Sequence, residues 1–186
     1  MICTCTIDTP LGGMRAAAKD DALIGLWFIG QKYYPLETAK WHAEAAHPVF
    51  EMLRLYLSLY FSNQSVCSDV PLDPAGSTFQ KKVWDLLLKI PKGQVATYGQ
   101  IAGYIARTEG LSAMSAQAVG GAVGHNPIAI LIPCHRVVGA NRSLTGYAGG
   151  MDKKSALLRI ENVDLATIDL RRSPFDPMKS PCRSEP

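Results

Sequence analysis

The sequence predicts a two-part chain, an α/β N-terminal domain followed by a mainly helical C-terminal domain with a helix-turn-helix. Three observations carry that expectation. The first third carries strand-like pieces, "ICTCTID" and "ALIGLWFIG". The stretch "SDVPLDPAG", with two prolines and a glycine, then breaks the periodicity at residues 68–76. Beyond it stand two capping boxes, Ser77 to Gln80 and Thr97 to Gln100, each opening a run with helical spacing. With 186 residues, 47% of them apolar, the chain can build a core without disulfide or metal staples.

Taken in order, "ICTCTID" alternates like a half-buried strand and "ALIGLWFIG" reads as a buried one, with "TPLGG" as the turn signal between them. "HPVFEMLRLYLSLYFS" places Val49, Met52, Leu53, Tyr56 and Leu59 at helical spacing, so a helix should cover the small sheet. After the interruption, "STFQKKVWDLLLKI" turns Phe79, Val83, Trp84, Leu86 and Leu87 inward and ends at "PKG". "TYGQIAGYIA" and "SAQAVGGAVGHN" follow as two short helices, the second stopped by Asn126-Pro127. That second helix is built almost wholly from small residues, and each of its adjacent glycines costs about 1 kcal/mol against alanine. Close helix packing and close approach to a nucleic-acid groove account for it equally well. The expected domains are 1–74 and 75–165, with a disordered proline-rich tail over 166–186.

Charge is unevenly spread. Residues 1–74 hold five basic and eight acidic side chains, whereas residues 75–161 hold ten against four, as an anionic partner would require; a solvated basic face explains it as readily. Five scattered cysteines without a CxxC pair exclude a disulfide framework and a four-ligand zinc site, and point to a reducing cytoplasm. Cys3, Cys5, His42 and His47 fit no standard metal spacing, so no metal is expected. No export signal or membrane-length apolar run is present.

"LIPCHRVVG", residues 131–139, puts a thiol beside an imidazole. Neighbouring side chains diverge on helices and strands, so Cys134 and His135 can cooperate only across a sharp turn or through a bridging water. Pro133 favours the turn. His135 would need a carboxylate on its far nitrogen, and Glu161 in "LLRIEN" is the candidate.

"IPCHRVV", preceded by "AVGGAVGHNP" and followed by "TGYAGG" and "LLRIE", strongly resembles the O6-alkylguanine-DNA alkyltransferases, over about residues 79–161 and more loosely through the N-terminal sheet. The resemblance implies a ribonuclease-H-like small sheet, a winged-helix-like C-terminal domain, and a monomer that needs no cofactor. It implies that Cys134 takes the alkyl group from O6 of a guanine flipped out of double-stranded DNA. His135 would remove the thiol proton through water, and Glu161 would orient the imidazole. Tyr98 would donate to guanine N3, the Ala148 N–H would hold O6, the carbonyls of Cys134 and Val137 would accept from the exocyclic amine, and Tyr147 with Gly149 would wall the pocket. Asn126 would tie the helix-turn-helix to the active-site segment. Ala116, Gln117, Ala118, Gly120, Gly121 and Arg136 would meet DNA through the minor groove. A thiolate is the best biological nucleophile for an alkyl carbon, and a thioether product cannot be hydrolysed at neutral pH. The protein should therefore act once per molecule.

Three features depart from the family pattern. Gln117 stands where the family commonly has an arginine that enters the base stack. The segment between Tyr98 and Gln117 is a few residues longer than the family pattern, and the tail extends past the usual end. Two rival readings are a lesion-binding protein that lacks the cysteine, which Cys134 contradicts, and a Cys-His hydrolase, which would need an oxyanion hole and turnover. Secondary activity on O4-alkylthymine is left open.

Overall fold

The computed structural model describes residues 1–36, 40–64 and 68–175. β1 (Ile2–Thr9), β2 (Gly12–Lys19) and β3 (Ala22–Phe28) form an antiparallel meander, and the short β4 (His42–Ala43) adds in parallel to β1, giving the order β3-β2-β1-β4. In the first turn Gly12 sits at φ +105°, a conformation that L side chains rarely adopt. Cys3, Cys5, Ile7, Met14, Ala16 and Phe28 are buried, and they share one face of the sheet by their alternation and pairing register. α1 (Pro48–Phe61) covers this sheet with Val49, Phe50, Leu53, Leu57 and Tyr60; His47 caps it and proline occupies its first turn. β2 was not expected, because "GGMRAAAK" is poor in the branched residues that mark strands. It is the central strand all the same, and Ala16, Ala17 and Ala18 are all fully buried.

The second unit holds α2 (Thr78–Leu88), β5 (Ala96–Thr97), α3 (Tyr98–Glu109), α4 (Ala116–Gly124), a 3₁₀ turn over Cys134–Arg136, β6 (Val137–Val138) and α5 (Met151–Ile160). Both capping boxes form as the spacing predicts, with each serine or threonine accepting from the third residue's N–H and each glutamine reaching back. Between Tyr98 and Gln117 the chain runs as α3 to Glu109, turns at Gly110 (φ +66°) and reaches Ser115, which caps α4. β5 pairs in parallel with β6, and this brings the start of α3 beside the Cys134 turn.

The interruption at residues 68–76 is bonded to the sheet. The Leu23 N–H donates to Pro71 O at 2.8 Å and the Asp73 N–H to Leu23 O at 2.9 Å. Further along β3, the Leu26 N–H donates to Pro127 O at 2.8 Å and the Ala129 N–H to Leu26 O at 2.9 Å. Backbone from both sides of the interruption thus covers an apolar edge strand that would otherwise be open. One continuous core runs through the two units. The expected disorder from residue 166 is corrected as far as Phe175: Gln100 Nε2 donates to Leu170 O at 2.8 Å, and Phe175 is buried against Tyr104. Physically, Leu165, Ile168 and Leu170 find an apolar patch around Val95, Val138, Leu158 and Val163. The rest of the tail, with Cys182, lies outside the described residues.

Candidate functional site

The Cys134 turn is held by Asn126, which follows α4. Its Oδ1 accepts from the Ile128 N–H at 3.0 Å, while Nδ2 donates to Ile132 O at 2.8 Å, to Ile128 O at 3.2 Å and to Cys134 Sγ at 3.0 Å. One amide therefore shapes the segment leading to the cysteine and binds its sulfur. The sharp turn that the Cys-His adjacency required is the 3₁₀ turn itself.

His135 is fully buried. Its Nε2 lies 2.8 Å from Glu161 Oε1, and its Nδ1 is buried with no hydrogen-bond partner among the described residues. Arg136 closes on the same carboxylate, Nε to Oε2 at 2.8 Å and Nη2 to Oε1 at 2.9 Å, and its Nη1 donates to Ile90 O. A fourth donor comes from α1, the Tyr60 hydroxyl, 2.7 Å from Oε1. Burial alone would raise the Glu161 carboxyl, but the bonds from His135 and Arg136 outweigh it and hold it well below the usual carboxylate range. An ionised acceptor fixes the hydrogen of the neutral imidazole on Nε2, leaving the Nδ1 lone pair free to take a proton. Burial also pushes the His135 imidazole below its ordinary value, so it is neutral at pH 7. The Cys134 thiol is pushed up by burial, only partly offset by the Asn126 bond and the Lys154 charge, so at rest it keeps its proton.

The remaining expected residues surround this centre. Tyr98 Oη donates to Thr145 O at 3.1 Å, and its ring lies against Gly120 of α4. The Tyr147 hydroxyl is buried without a partner among the described residues. Gly149 has no room for a side chain, since a Cβ there would stand 2.7 Å from the Tyr147 ring and 2.9 Å from Phe28. The Ala148 carbonyl accepts from the Lys32 N–H at 3.0 Å, which ties the 147–149 segment to the loop after β3. The Cys134 carbonyl accepts from the Val137 N–H and the Val137 carbonyl from Lys154 Nζ at 2.6 Å; each keeps a second lone pair.

Ala116, Gln117, Ala118 and Gly121 are exposed, and Gly120 is half-buried. A Cβ at Gly121 would meet nothing within 4 Å, and one at Gly120 only the Tyr98 ring at ordinary contact distance. Packing inside the chain therefore does not require these glycines. Arg136 needs correction: its guanidinium is spent on Glu161 and Ile90, too deep to reach DNA. Lys154, fully buried, donates to Val137 O and Thr145 O, and burial lowers it to about 8. It was missed, although Lys154, Leu157, Leu158 and Glu161 form an i, i+3, i+4, i+7 stripe that marks an inward face. Of the four N-terminal residues weighed as metal ligands, Cys3 bonds Glu44, Cys5 lies in the core and His47 caps α1, while His42 is exposed on β4.

Residues 2–74 match the model of the 6-O-methylguanine DNA methyltransferase ribonuclease-like domain, and residues 78–163 that of the DNA-binding domain of the same family. A methylated-DNA–protein-cysteine methyltransferase of Mycobacterium tuberculosis is 42% identical over 168 residues, covering 88% of this chain and 97% of that protein. The chain belongs to the 6-O-methylguanine DNA methyltransferases. A family member of the same description from Methanosarcina acetivorans is 49% identical over 154 residues, 83% of this chain and 94% of its own. Among solved methyltransferases, a crystal structure of the M. tuberculosis protein in complex with DNA superposes with a TM-score of 0.76 at 42% identity, covering 86% of this chain and 93% of that one. The two-unit fold, small sheet then helical DNA-binding domain, is that of the family.

Proposed function

We propose that this DNA-repair methyltransferase carries out its transfer on Cys134 Sγ, taking the alkyl group from O6 of a guanine turned out of the duplex. One observation carries the assignment: the sulfur lies on a sharp turn directly before an imidazole whose Nε2 is bonded to an ionised carboxylate and whose Nδ1 has no partner among the described residues. The Cys134 proton passes through a water to His135 Nδ1. The thiolate attacks the alkyl carbon, the S–C bond forms, the C–O6 bond breaks, and its electron pair passes into the purine. A proton from the Tyr98 hydroxyl at N3 lets guanine leave neutral, and the proton held on His135 restores the hydroxyl through solvent. The thioether is permanent, so each molecule acts once.

DNA is met through the minor groove by the exposed small-residue face of α4, with Gln117 as the wedge. That face supports the reading because nothing within the chain crowds Gly121. Setting aside Arg136, Lys154 and Glu161, all buried, residues 75–161 still present eight basic side chains against three acidic ones. Incubation with duplex DNA carrying O6-methylguanine, followed by intact-mass measurement, should add one methyl to the wild type and none to Cys134→Ser. Repeated turnover, or a methylated Cys134→Ser, would refute it.

A further inference from the structure

We infer that Tyr60, on α1 of the N-terminal unit, is a positioning residue of the transfer reaction: its hydroxyl sets how strongly Glu161 attracts the proton that His135 takes from Cys134. The inference rests on the role of Cys134 and His135 proposed above. Among the described residues Tyr60 is the one side chain of the N-terminal unit that bonds the carboxylate, its hydroxyl donating to Oε1 at 2.7 Å and lying 3.5 Å from His135 Nε2. Tyr60 and Glu161 are both about 2% exposed, so water cannot take over the bond.

Oε1 thus accepts three bonds, from Tyr60, His135 and Arg136, and Oε2 accepts one from Arg136. The guanidinium neutralises the carboxylate, whereas the phenol only disperses its charge. Burial, reinforced by the neighbouring Glu161 charge, keeps the phenol protonated across the working pH range, so it is always a donor. The other charged or titratable groups near the His135–Glu161 pair are Tyr56 on α1, Cys134 on the turn, Lys154 on α5 and Tyr147 from the 147–149 segment. None of these four makes a hydrogen bond to Glu161 among those of the described residues. Lys92 lies over the outer side of the Tyr60 ring.

Removing the hydroxyl concentrates negative charge on the oxygen that faces Nε2 and stabilises the imidazolium. His135 then holds its proton to higher pH and is less available as a base. Tyr60→Phe keeps the ring and its packing against Tyr56 and Phe61. The experiment follows the rate of Cys134 alkylation against pH, by lesion DNA in single turnover and by iodoacetamide without DNA. The acid limb of both profiles should move up by about half to one pH unit, a loss of roughly three- to tenfold below the midpoint. Tyr56→Phe, which removes a nearby phenol without a bond to Glu161, should leave the limb in place. A 3-fluorotyrosine at position 60, a stronger donor, should move it down. An unshifted limb in Tyr60→Phe with a wild-type melting temperature would overturn the inference, as would an unshifted limb with fluorotyrosine should the phenylalanine variant fail to fold. Absence of methyl transfer from DNA in the wild type would instead strike the function proposed above, and the iodoacetamide profiles keep the two outcomes separate.

Discussion

Replacing Arg136 with methionine keeps most of the stem volume and deletes the guanidinium that makes two bonds to Glu161 and one to Ile90 O. The carboxylate left behind is buried, with only His135 and Tyr60 as donors among the described residues. Breaking a buried pair on one side costs about 3–5 kcal/mol. At roughly 2–4 °C per kcal/mol for a chain of this size, the melting temperature should fall by about 10 °C. The loss should depend on pH in a definite sense. In the wild type the folded Glu161 carboxyl lies below its unfolded value, so its contribution is complete above the unfolded value and disappears as pH falls towards the folded one. Without Arg136 the carboxyl loses two bonds and a charge that hold it down, so its folded value rises towards the unfolded one and the variant has less pH-dependent stability to lose as the pH falls. Urea denaturation of both proteins at pH 7 and pH 4.5 should show the difference between them shrinking at the lower pH. A loss below about 1 kcal/mol, equal at both pH values and accompanied by weaker DNA binding with a shallower salt dependence, would mean that Arg136 faces phosphate after all and that the site is drawn wrongly.

Two further outcomes follow from the same geometry. Asn126→Ala removes the bonds that shape residues 128–134 and hold Cys134 Sγ; at about 1 kcal/mol net for each buried bond, it should lower stability by about 3 kcal/mol in urea denaturation. It should also slow methyl transfer by more than that loss explains, since the sulfur is no longer fixed. Gln117→Arg adds a cation on the exposed face of α4 and should raise affinity for lesion duplex and speed transfer in single-turnover kinetics; a variant no faster than wild type would remove residue 117 from the wedge role.

Local signals are legible in the sequence. Ser77/Gln80 and Thr97/Gln100 cap their helices as spaced, because a capping box is complete within four residues. The Cys-His-Glu centre was legible through its motif strings, and Glu161 stands where the imidazole needs it. Errors arose where a distant partner decides the conformation. "GGMRAAAK" becomes a central strand only because β1 and β3 flank it, and alanine by itself favours no strand. The proline stretch 68–76 reads as a break between two units until Leu23 pairs with it across about fifty residues. Arg136 reads as a DNA contact in a basic region, and only Glu161, 25 positions away, shows that its charge is consumed indoors. Tyr60 sits in an apolar helical stripe that any core would explain, so nothing in its neighbourhood marks the hydroxyl.

The two seams along β3 mean that neither half is a module in its own right. A piece beginning at residue 75 would keep Cys134 and α4, yet its Pro127–Ala129 stretch would lose its β-partner. A piece ending at residue 74 would retain its Pro71–Asp73 seam but expose the backbone of Leu26. Grafting the reactive half onto another scaffold would therefore have to carry the sheet with it, and a protease nick near residue 75 should leave two fragments that remain together rather than one active survivor.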